Sequence, residues 1–539
     1  MMVNAKERRW AIGFAMAVML ITTLPYLLGF WAQGKDWFFT GFVFGVEDGN
    51  SYIAKMFTGG QGSWLFRTPY TAFPQSGFLA FLPYLLLGKL AAPPGQHEQL
   101  VALFHLFRWV AGVACILATY DFTAIFIADV RLRRLGTAVA SVGGGLGWLS
   151  VLGLQSLWAN RLPLDFYSPE SFGFLDLYGL PHLAMGRALL LWGLAIFLTH
   201  FQDKSKKYRV IFTCGILWFF LGLMQPLTIL IGWTILAAFL IALTIVFYWR
   251  MKHGAQVDWN LLKQGIFRLG GIGLISSPIV IYTAIKFLTD PYLIQWARQN
   301  IILSPPIGDY LLAYVLMIPF LIVGLRRLIK DRPVMVYMFI GWLIIFPVLA
   351  YFPNNLQRRL PEGIWVAITV LAVACFTGEV TPFFRKFPVI FSLSILSPFI
   401  LLTGGSLVAL KPSAPIFRPA AEIKAFNALS EKATSGQVVL AAYDTSNALP
   451  AWVPVRTLIG HGPESIQLAQ IQPEVERFYQ SSTSDQDRLS LIEQFHIDYV
   501  FYGPTEQALG DWTPDSFSSL SLIYQEGSWK IYKVIGLSP

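Results

Sequence analysis

Phe44-Gly-Val-Glu-Asp-Gly-Asn-Ser-Tyr-Ile-Ala-Lys-Met56 places two adjacent carboxylates, Glu47 and Asp48, in the first loop after an apolar run long enough to cross a membrane. A glycine-punctuated approach leads into Tyr52, Ile53, Met56 and Phe57, a spacing that predicts a short amphipathic helix on the membrane surface. A carboxylate held there beside a lipid-borne substrate can serve as a general base or a metal ligand. An isolated acidic pair can equally be a solvated turn, so its meaning depends on the frame around it.

That frame is a membrane. Hydrophobic residues make up 55% of the 539-residue chain and charged residues 13%, with a mean hydropathy of +0.55. Such a composition excludes a water-soluble globular protein. The formal charge of +9 is uneven: from Lys411 onward there are 9 of the 40 Lys and Arg but 14 of the 31 Asp and Glu. The basic excess belongs to the membrane portion, where lipid headgroups and phosphates are the expected partners and nucleic acid is not. Cys115, Cys214 and Cys375 sit in apolar runs without metal spacing and read as core residues. The run from Trp10 to Trp31, behind Lys6, Arg8 and Arg9, is too long for a signal peptide and lacks a small-residue cleavage site, so it is expected to be a retained first span.

Apolar runs of roughly 17 to 25 residues predict eleven spans, at about 9–31, 103–127, 135–154, 183–200, 209–224, 226–249, 264–287, 309–325, 333–352, 362–378 and 388–410. Basic clusters at Lys6/Arg8/Arg9, Arg131/Arg133/Arg134, Lys204/Lys206/Lys207/Arg209, Arg250/Lys252, Arg326/Arg327/Lys330/Arg332 and Arg385/Lys386 all fall on the cytoplasmic side of this scheme. The N-terminus is then cytoplasmic and the C-terminus outside. The segment 77–92 is apolar but short and carries Pro83. It is either a re-entrant or interfacial piece or half of a helical hairpin that raises the count to thirteen.

The outer face collects the loops 32–76, 155–182, 288–308 and 353–361. Arg358 and Arg359 lie outside, between Pro353 and Pro361, against the cytoplasmic preference of basic residues. Arg298 is placed similarly between Trp296 and Gln299. A guanidinium fork suits phosphate oxygens, so these arginines are candidates to hold a lipid phosphate, with interfacial snorkelling as the alternative. The loop 155–182 offers Asp165, Glu170, Asp176 and His182, and Arg187 follows in the first turns of the next span.

Beyond Leu410 the composition shifts. A proline-rich linker, 411–419, precedes a domain, 420–539, that mixes charged helices with β-rich runs. Strands are predicted over Gln437–Tyr443 and Ile497–Tyr502, helices over Pro473–Tyr479 and Gln486–Phe495, and a hairpin over Leu520–Val534 turning at Glu526-Gly-Ser. Asp444-Thr-Ser-Asn447 and Gly460-His-Gly-Pro-Glu464 fall at strand ends, where α/β sheets bind ligands, so Asp444 and His461 are candidates to touch an acceptor, with ordinary turn chemistry as the cheaper account.

The order of these features resembles the GT-C class of integral-membrane glycosyltransferases, which includes the protein O-mannosyltransferases and the aminoarabinose transferase of lipid A. The resemblance is carried by Glu47-Asp48-x-x-x-Tyr52-x-Ala54, similar to the Asp-Glu-x-x-Tyr-x-x-x-Ala pattern of their first outer loop, although the acids are in reverse order and the spacings differ here. Trp64-Leu-Phe-Arg-Thr-Pro-Tyr70, Phe73-Pro74 and a long span ending in the basic turn Arg131–Arg134 extend it. It covers 1–200 by motif and 200–410 by architecture. It implies a polytopic α-helical membrane protein of about eleven to thirteen spans over residues 1–410, with a C-terminal extracytoplasmic α/β domain, in a bacterial plasma membrane. It also implies an inverting transfer of sugar from a polyprenyl-phosphate donor to a hydroxyl of a glycan, lipid or protein acceptor. The base, or a ligand for Mg2+ or Mn2+, falls by position on Asp48 or Glu47. Arg358, Arg359, Arg67 and Arg298 are then donor-phosphate candidates, and Tyr52, His182, Arg187 and Asp176 substrate-binding candidates. A lipid or glycan transporter, with Asp121 and Lys286 as its nearest intramembrane charges, and a non-catalytic relative are the competing classes.

Overall fold

Uniformly apolar sequence leaves backbone groups no partner in hydrocarbon except one another, so such runs become helices. The structure, a computed structural model, describes residues 3–377 and 387–536. Arg385 and Lys386 lie outside the described residues. Seven described helices are long and apolar enough to cross a membrane: Ala5–Ala32, Gln96–Phe126, Pro181–Thr199, Lys204–Met224, Pro226–Lys252, Trp259–Thr289 and Val389–Ala409. At about 1.5 Å per residue even the 19-residue Pro181–Thr199 spans about 28 Å, close to a bilayer's hydrocarbon thickness. The protein is an integral membrane protein, mostly helical, with a small C-terminal sheet.

Four of the eleven expected spans take other forms. The run 309–325 becomes Ile307–Tyr314 and Ile318–Asp331, bent by 71°, because Pro319 cannot continue the backbone ladder. The run 333–352 gives the 15-residue Val336–Ala350, and 362–378 the 11-residue Ile364–Ala374, buried along its whole length. In 135–154 the helix Val130–Val142 stops at Gly143-Gly144-Gly145. Three consecutive glycines favour leaving the helix: Gly143 makes its last bond, to the Val139 carbonyl at 2.8 Å, whereas Gly144 donates to the Ser394 carbonyl at 2.7 Å and Gly145 to Asp165 Oδ1 at 2.6 Å. In 77–92 only Leu82–Gly88 is helical, too short to cross, as the interfacial alternative requires.

The chain divides into two compact units, Met1–Thr23 with Phe107–Ala284 and Ile301–Gly404, and Leu24–Leu106 with Ile285–Asn300 and Gly405–Pro539. In the first, Pro181–Thr199 packs on Lys207–Met224, and Pro226–Lys252 on Val336–Ala350. Arg187 is buried with two carboxylates: its Nη1 is 2.6 Å from Asp176 Oδ2 and its Nε 2.6 Å from Glu362 Oε1.

The second unit holds the loop after the first span, 32–76, and the tail together. Strand β1 (Trp37–Phe39) pairs antiparallel with β2 (Phe417–Pro419), which closes the proline-rich stretch 411–419. The tail builds a five-stranded sheet from β3 (Val438–Leu440), β4 (Arg456–Thr457), β5 (Ile497–Tyr502), β6 (Leu520–Glu526) and β7 (Trp529–Val534), in the order β4-β3-β5-β7-β6. β4, β3 and β5 are parallel, β7 pairs antiparallel with β5, and the edge strand β6 pairs antiparallel with β7. The helices Leu468–Phe478 and Asp485–Phe495 contribute Ile471, Val475, Phe478, Leu491 and Ile492 to the same core as Val438, Leu440 and Val500. The predicted strands, helices and hairpin of the tail are all present, with ends shifted by a few residues.

The acidic stretch does form a helix, Val46–Gly60, but Gly49 to Phe57 are buried without interruption, so it is an internal element of its unit and not a surface float. Small residues make this feasible. A side chain at Gly59 would strike the Leu85 backbone and one at Gly88 the Met56 backbone, so the short helix Leu82–Gly88 lies flush against Val46–Gly60.

Candidate active site

Gly45 takes a left-handed conformation (φ 58°) and starts the helix, so Glu47 and Asp48 occupy its first turn. Carboxylates there complement the unsatisfied N–H groups at a helix N-terminus. The turn is then gripped by the two strand-end loops of the tail. Tyr443, after β3, donates its hydroxyl to Glu47 Oε1 at 2.6 Å, and the Gly462 N–H, after β4, donates to the same oxygen at 2.9 Å. Asn447 donates to the Glu47 carbonyl at 3.3 Å and to the Gly460 carbonyl at 2.7 Å, and its Oδ1 accepts from Asn50 at 2.8 Å.

Asp48 is met by His461, whose Nε2 lies 3.1 Å from Asp48 Oδ1. The two differ sharply in access: the Asp48 side chain is 54% exposed and that of His461 11%. Behind the imidazole, its Nδ1 is 3.6 Å from Glu464 Oε1, too long for a hydrogen bond but close enough for charge attraction. Glu464 also accepts from Lys55 at 2.6 Å, Ser51 at 3.1 Å and Thr68 at 2.6 Å. Lys55 and Glu464 are both almost fully enclosed. Tyr70 stacks on the His461 ring at 5.6 Å and donates its hydroxyl to the Asn447 carbonyl at 3.0 Å.

These contacts set the proton affinities. Burial opposes a charge on His461, but the Glu464 and Asp48 carboxylates outweigh it and raise its pKa above the ordinary histidine value. Burial likewise opposes a charge on Glu464, but Lys55 and His461 prevail and hold it below the usual carboxylate range. Tyr443 is pushed up by its burial and by its bond to Glu47, so it remains a protonated donor. The result is a row of mutually supporting groups, Lys55, Glu464, His461 and Asp48, running from the interior to an accessible carboxylate.

The remaining candidates separate by environment. Tyr52 stacks on Tyr84 at 4.8 Å and on Phe104 at 6.0 Å, which makes it core and leaves no face for substrate. Asp176 and Arg187 are buried against each other and Glu362, and Arg187 also donates to the Pro169 carbonyl at 2.8 Å. They lock the loop 155–182 from within. His182 is half-buried in the first turn of Pro181–Thr199. Arg67 and Arg298 are exposed in the same unit as the acidic pair, Arg298 in the last turn of Pro291–Gln299. The neighbouring Gln299 donates to the Pro463 and Ser465 carbonyls at 2.9 and 2.7 Å, which fastens that helix to the histidine-bearing loop.

Arg358 and Arg359 belong to the other unit. The Arg358 guanidinium lies 4.7 Å over the Tyr167 ring, and Arg359 Nε is 4.0 Å from Glu170 Oε1. The residues invoked for a transporter are engaged locally: Asp121 pairs with Arg8 at 2.7 Å and accepts from Trp192 at 3.0 Å, and the half-buried Lys286 donates to Ser76 at 3.3 Å.

Among the described residues no group of three or more His, Cys, Asp or Glu side chains is placed to hold a metal ion. Glu47 and Asp48 are turned to hydrogen-bond donors of the tail, and a pair of carboxylates so engaged is a poor fit to the oxygen shell that Mg2+ or Mn2+ demands.

The sequence reading singled out His461 but missed Tyr443, Asn447, Lys55, Glu464 and Thr68. One signal was available: Lys55 is a lone charge amid Tyr52, Ile53, Ala54, Met56 and Phe57, a run whose packing forces it to find a buried partner.

The helical region with membrane-length spans and the small C-terminal α/β sheet make a fold shared with solved membrane proteins. Among solved structures, the oligosaccharyltransferase of Archaeoglobus fulgidus is similar at TM-score 0.56 and 12% identity, over 91% of this chain and 69% of that one. ArnT from Cupriavidus metallidurans is similar at TM-score 0.51 and 11% identity, over 96% and 97%. The arabinofuranosyltransferase AftD from Mycobacteria is similar at 0.57 and 12%, over 98% and 42%. No family model and no curated protein matches the sequence.

Proposed function

We propose that this chain is a membrane glycosyltransferase that moves a sugar from a polyprenyl-phosphate donor to an acceptor hydroxyl on the outer face of a bacterial plasma membrane, with Asp48 as the base. The observation that carries this reading is the exposed Asp48 carboxylate backed by the enclosed His461 and Glu464. An acceptor hydroxyl loses its proton to Asp48 as its oxygen attacks the anomeric carbon. The bond from that carbon to the phosphate oxygen breaks, the polyprenyl phosphate leaves from the opposite face, and the configuration inverts.

Glu47, tied by Tyr443 and Gly462, keeps the turn in place while Asp48 works. Arg67 and Arg298, exposed in the unit that carries Asp48, offset the negative charge that grows on the departing phosphate, and Arg358 and Arg359 are candidates to bind the polyprenyl phosphate. The archaeal oligosaccharyltransferase AglB, similar at TM-score 0.56 and 13% identity, was solved with an inhibitory peptide and a dolichol-phosphate, which supports a lipid-phosphate donor here. The basic clusters support a cytoplasmic N-terminus and an outer C-terminal domain.

The test is transfer from radiolabelled polyprenyl-phosphate sugars in proteoliposomes. Asp48→Asn is expected to lower turnover by roughly 10²- to 10⁴-fold, the usual worth of a general base, with donor binding retained. Full activity in that variant removes the assignment.

A further inference from the structure

A cavity of about 230 Å³ opens in the tail at the carboxyl ends of the parallel strands. Its wall includes Tyr443 and Asp444 after β3, Ile459 after β4 and Thr505 after β5, with Gln472 and Glu476 facing in from the helix Leu468–Phe478. Carboxyl ends of parallel strands are where α/β sheets take ligands, since neighbouring loops diverge there and leave a crevice. Glu506 fixes the spacing of two of these ends: one carboxyl oxygen accepts from the Ala442 N–H at 3.0 Å and the other from the Gly503 N–H at 2.9 Å.

The lining selects a chemistry. It contains no Lys, Arg or His, which disfavours phosphate, nucleotide or any other anion. Two carboxylates, an amide, a hydroxyl and a phenol supply many hydrogen-bond groups, while Ile459 and Leu509 add apolar patches. A ligand rich in hydroxyls with apolar C–H faces matches that mixture. The volume is below the usual range for drug-sized ligands, which restricts the fit to about one sugar ring. Gln472 Nε2 donates to Glu476 Oε1 at 3.0 Å, one turn apart, so the amide and carboxylate are presented side by side. Tyr443 joins the cavity to the acidic turn: the same side chain lines the cavity and donates to Glu47.

We propose that this cavity binds the terminal sugar of a neutral glycan, which makes a glycan, rather than a protein or a lipid, the acceptor. The assignment of the ligand as acceptor rests on the transferase reading above; the binding itself does not. Asp444 and Glu476 accept from ring hydroxyls, Thr505 and Gln472 complete the hydrogen bonding, and the bound ring is delivered beside Tyr443 and the Glu47-Asp48 turn.

The experiment is saturation-transfer difference NMR with isothermal titration on the full-length protein in detergent. The probes are neutral gluco-, galacto-, manno- and arabino-oligosaccharides, their amino-sugar counterparts, and a Ser/Thr-containing peptide. One neutral series is expected to bind. Its affinity is expected to fall tenfold or more in Leu509→Trp, which fills the cavity, and in the double variant Gln472→Ala/Glu476→Ala, which removes polar groups from a half-exposed helix face. The melting temperature of the double variant is expected to stay at the wild-type value, and Asp48→Asn is expected to bind the glycan as wild type does. The proposal is overturned if neutral oligosaccharides do not bind at concentrations on the order of 10 mM, if only amino sugars or the peptide bind, or if both cavity variants bind unchanged. Glycan binding without transfer by the wild type would leave this site standing and remove the transferase reading instead.

Discussion

His461 Nε2 lies 3.1 Å from Asp48 Oδ1, joining residues 413 positions apart in the chain. The contact makes the C-terminal domain part of the candidate site. The imidazole orients the carboxylate, and Glu464 beyond it favours the charged ring.

His461 gives the unit a pH-dependent stability of defined sign. Its folded pKa is raised above the ordinary value of 6.5, so its stabilisation is whole below that pH and is lost as the pH climbs through the higher folded value. His461→Gln is therefore expected to lower the unfolding midpoint most at pH 6 and below, with the gap to wild type narrowing as pH rises. Thermal melts in detergent across that window check it, and a gap that widens with pH contradicts the charge arrangement.

The Lys55–Glu464 pair is enclosed, and removing one partner strands the other charge away from water. Lys55→Met is expected to destabilise by about 3–5 kcal/mol. Adding Glu464→Gln to Lys55→Met is expected to recover much of that loss, because the amide needs no counter-charge. A double-mutant cycle by thermal shift measures the coupling.

Tyr443→Phe removes one of two donors to Glu47 Oε1 and leaves the Gly462 N–H in place. A stability cost of about 0.5–1.5 kcal/mol is expected, together with slower transfer at unchanged donor affinity. Turnover and donor titrations on the purified variant separate the two effects.

Replacing Arg358 and Arg359 together by alanine is expected to weaken binding of polyprenyl phosphate by at least about tenfold, at roughly 1.5–3 kcal/mol for each charged hydrogen bond lost. Titration with the lipid phosphate in nanodiscs measures it. Unchanged affinity would reduce the doublet to an anchor of its loop through Tyr167 and Glu170.

The sequence by itself determined the membrane character, most of the long spans, the acidic pair in the loop after the first span and the alternation of strand and helix in the tail. These follow from properties local to the chain: runs of apolar residues, charge counts, and periodicities of two and 3.6 that a window of a dozen residues displays. It misjudged 135–154 because a hydropathy sum does not register that Gly144 and Gly145 send their N–H groups away from the helix. It did not foresee that Tyr52, Asp176 and Arg187 are packed inside the protein, because polar and aromatic side chains look alike in sequence whether they face solvent or one another.

Only the tertiary structure decided that the tail's two strand-end loops close on Glu47 and Asp48, and that Lys55, on a helix expected to float, is buried against Glu464. Those pairings join residues some 400 positions apart, and their energy depends on distance and enclosure. Neither quantity exists in a linear chain until β3 and β4 have been laid in one sheet and their ends brought over the helix Val46–Gly60.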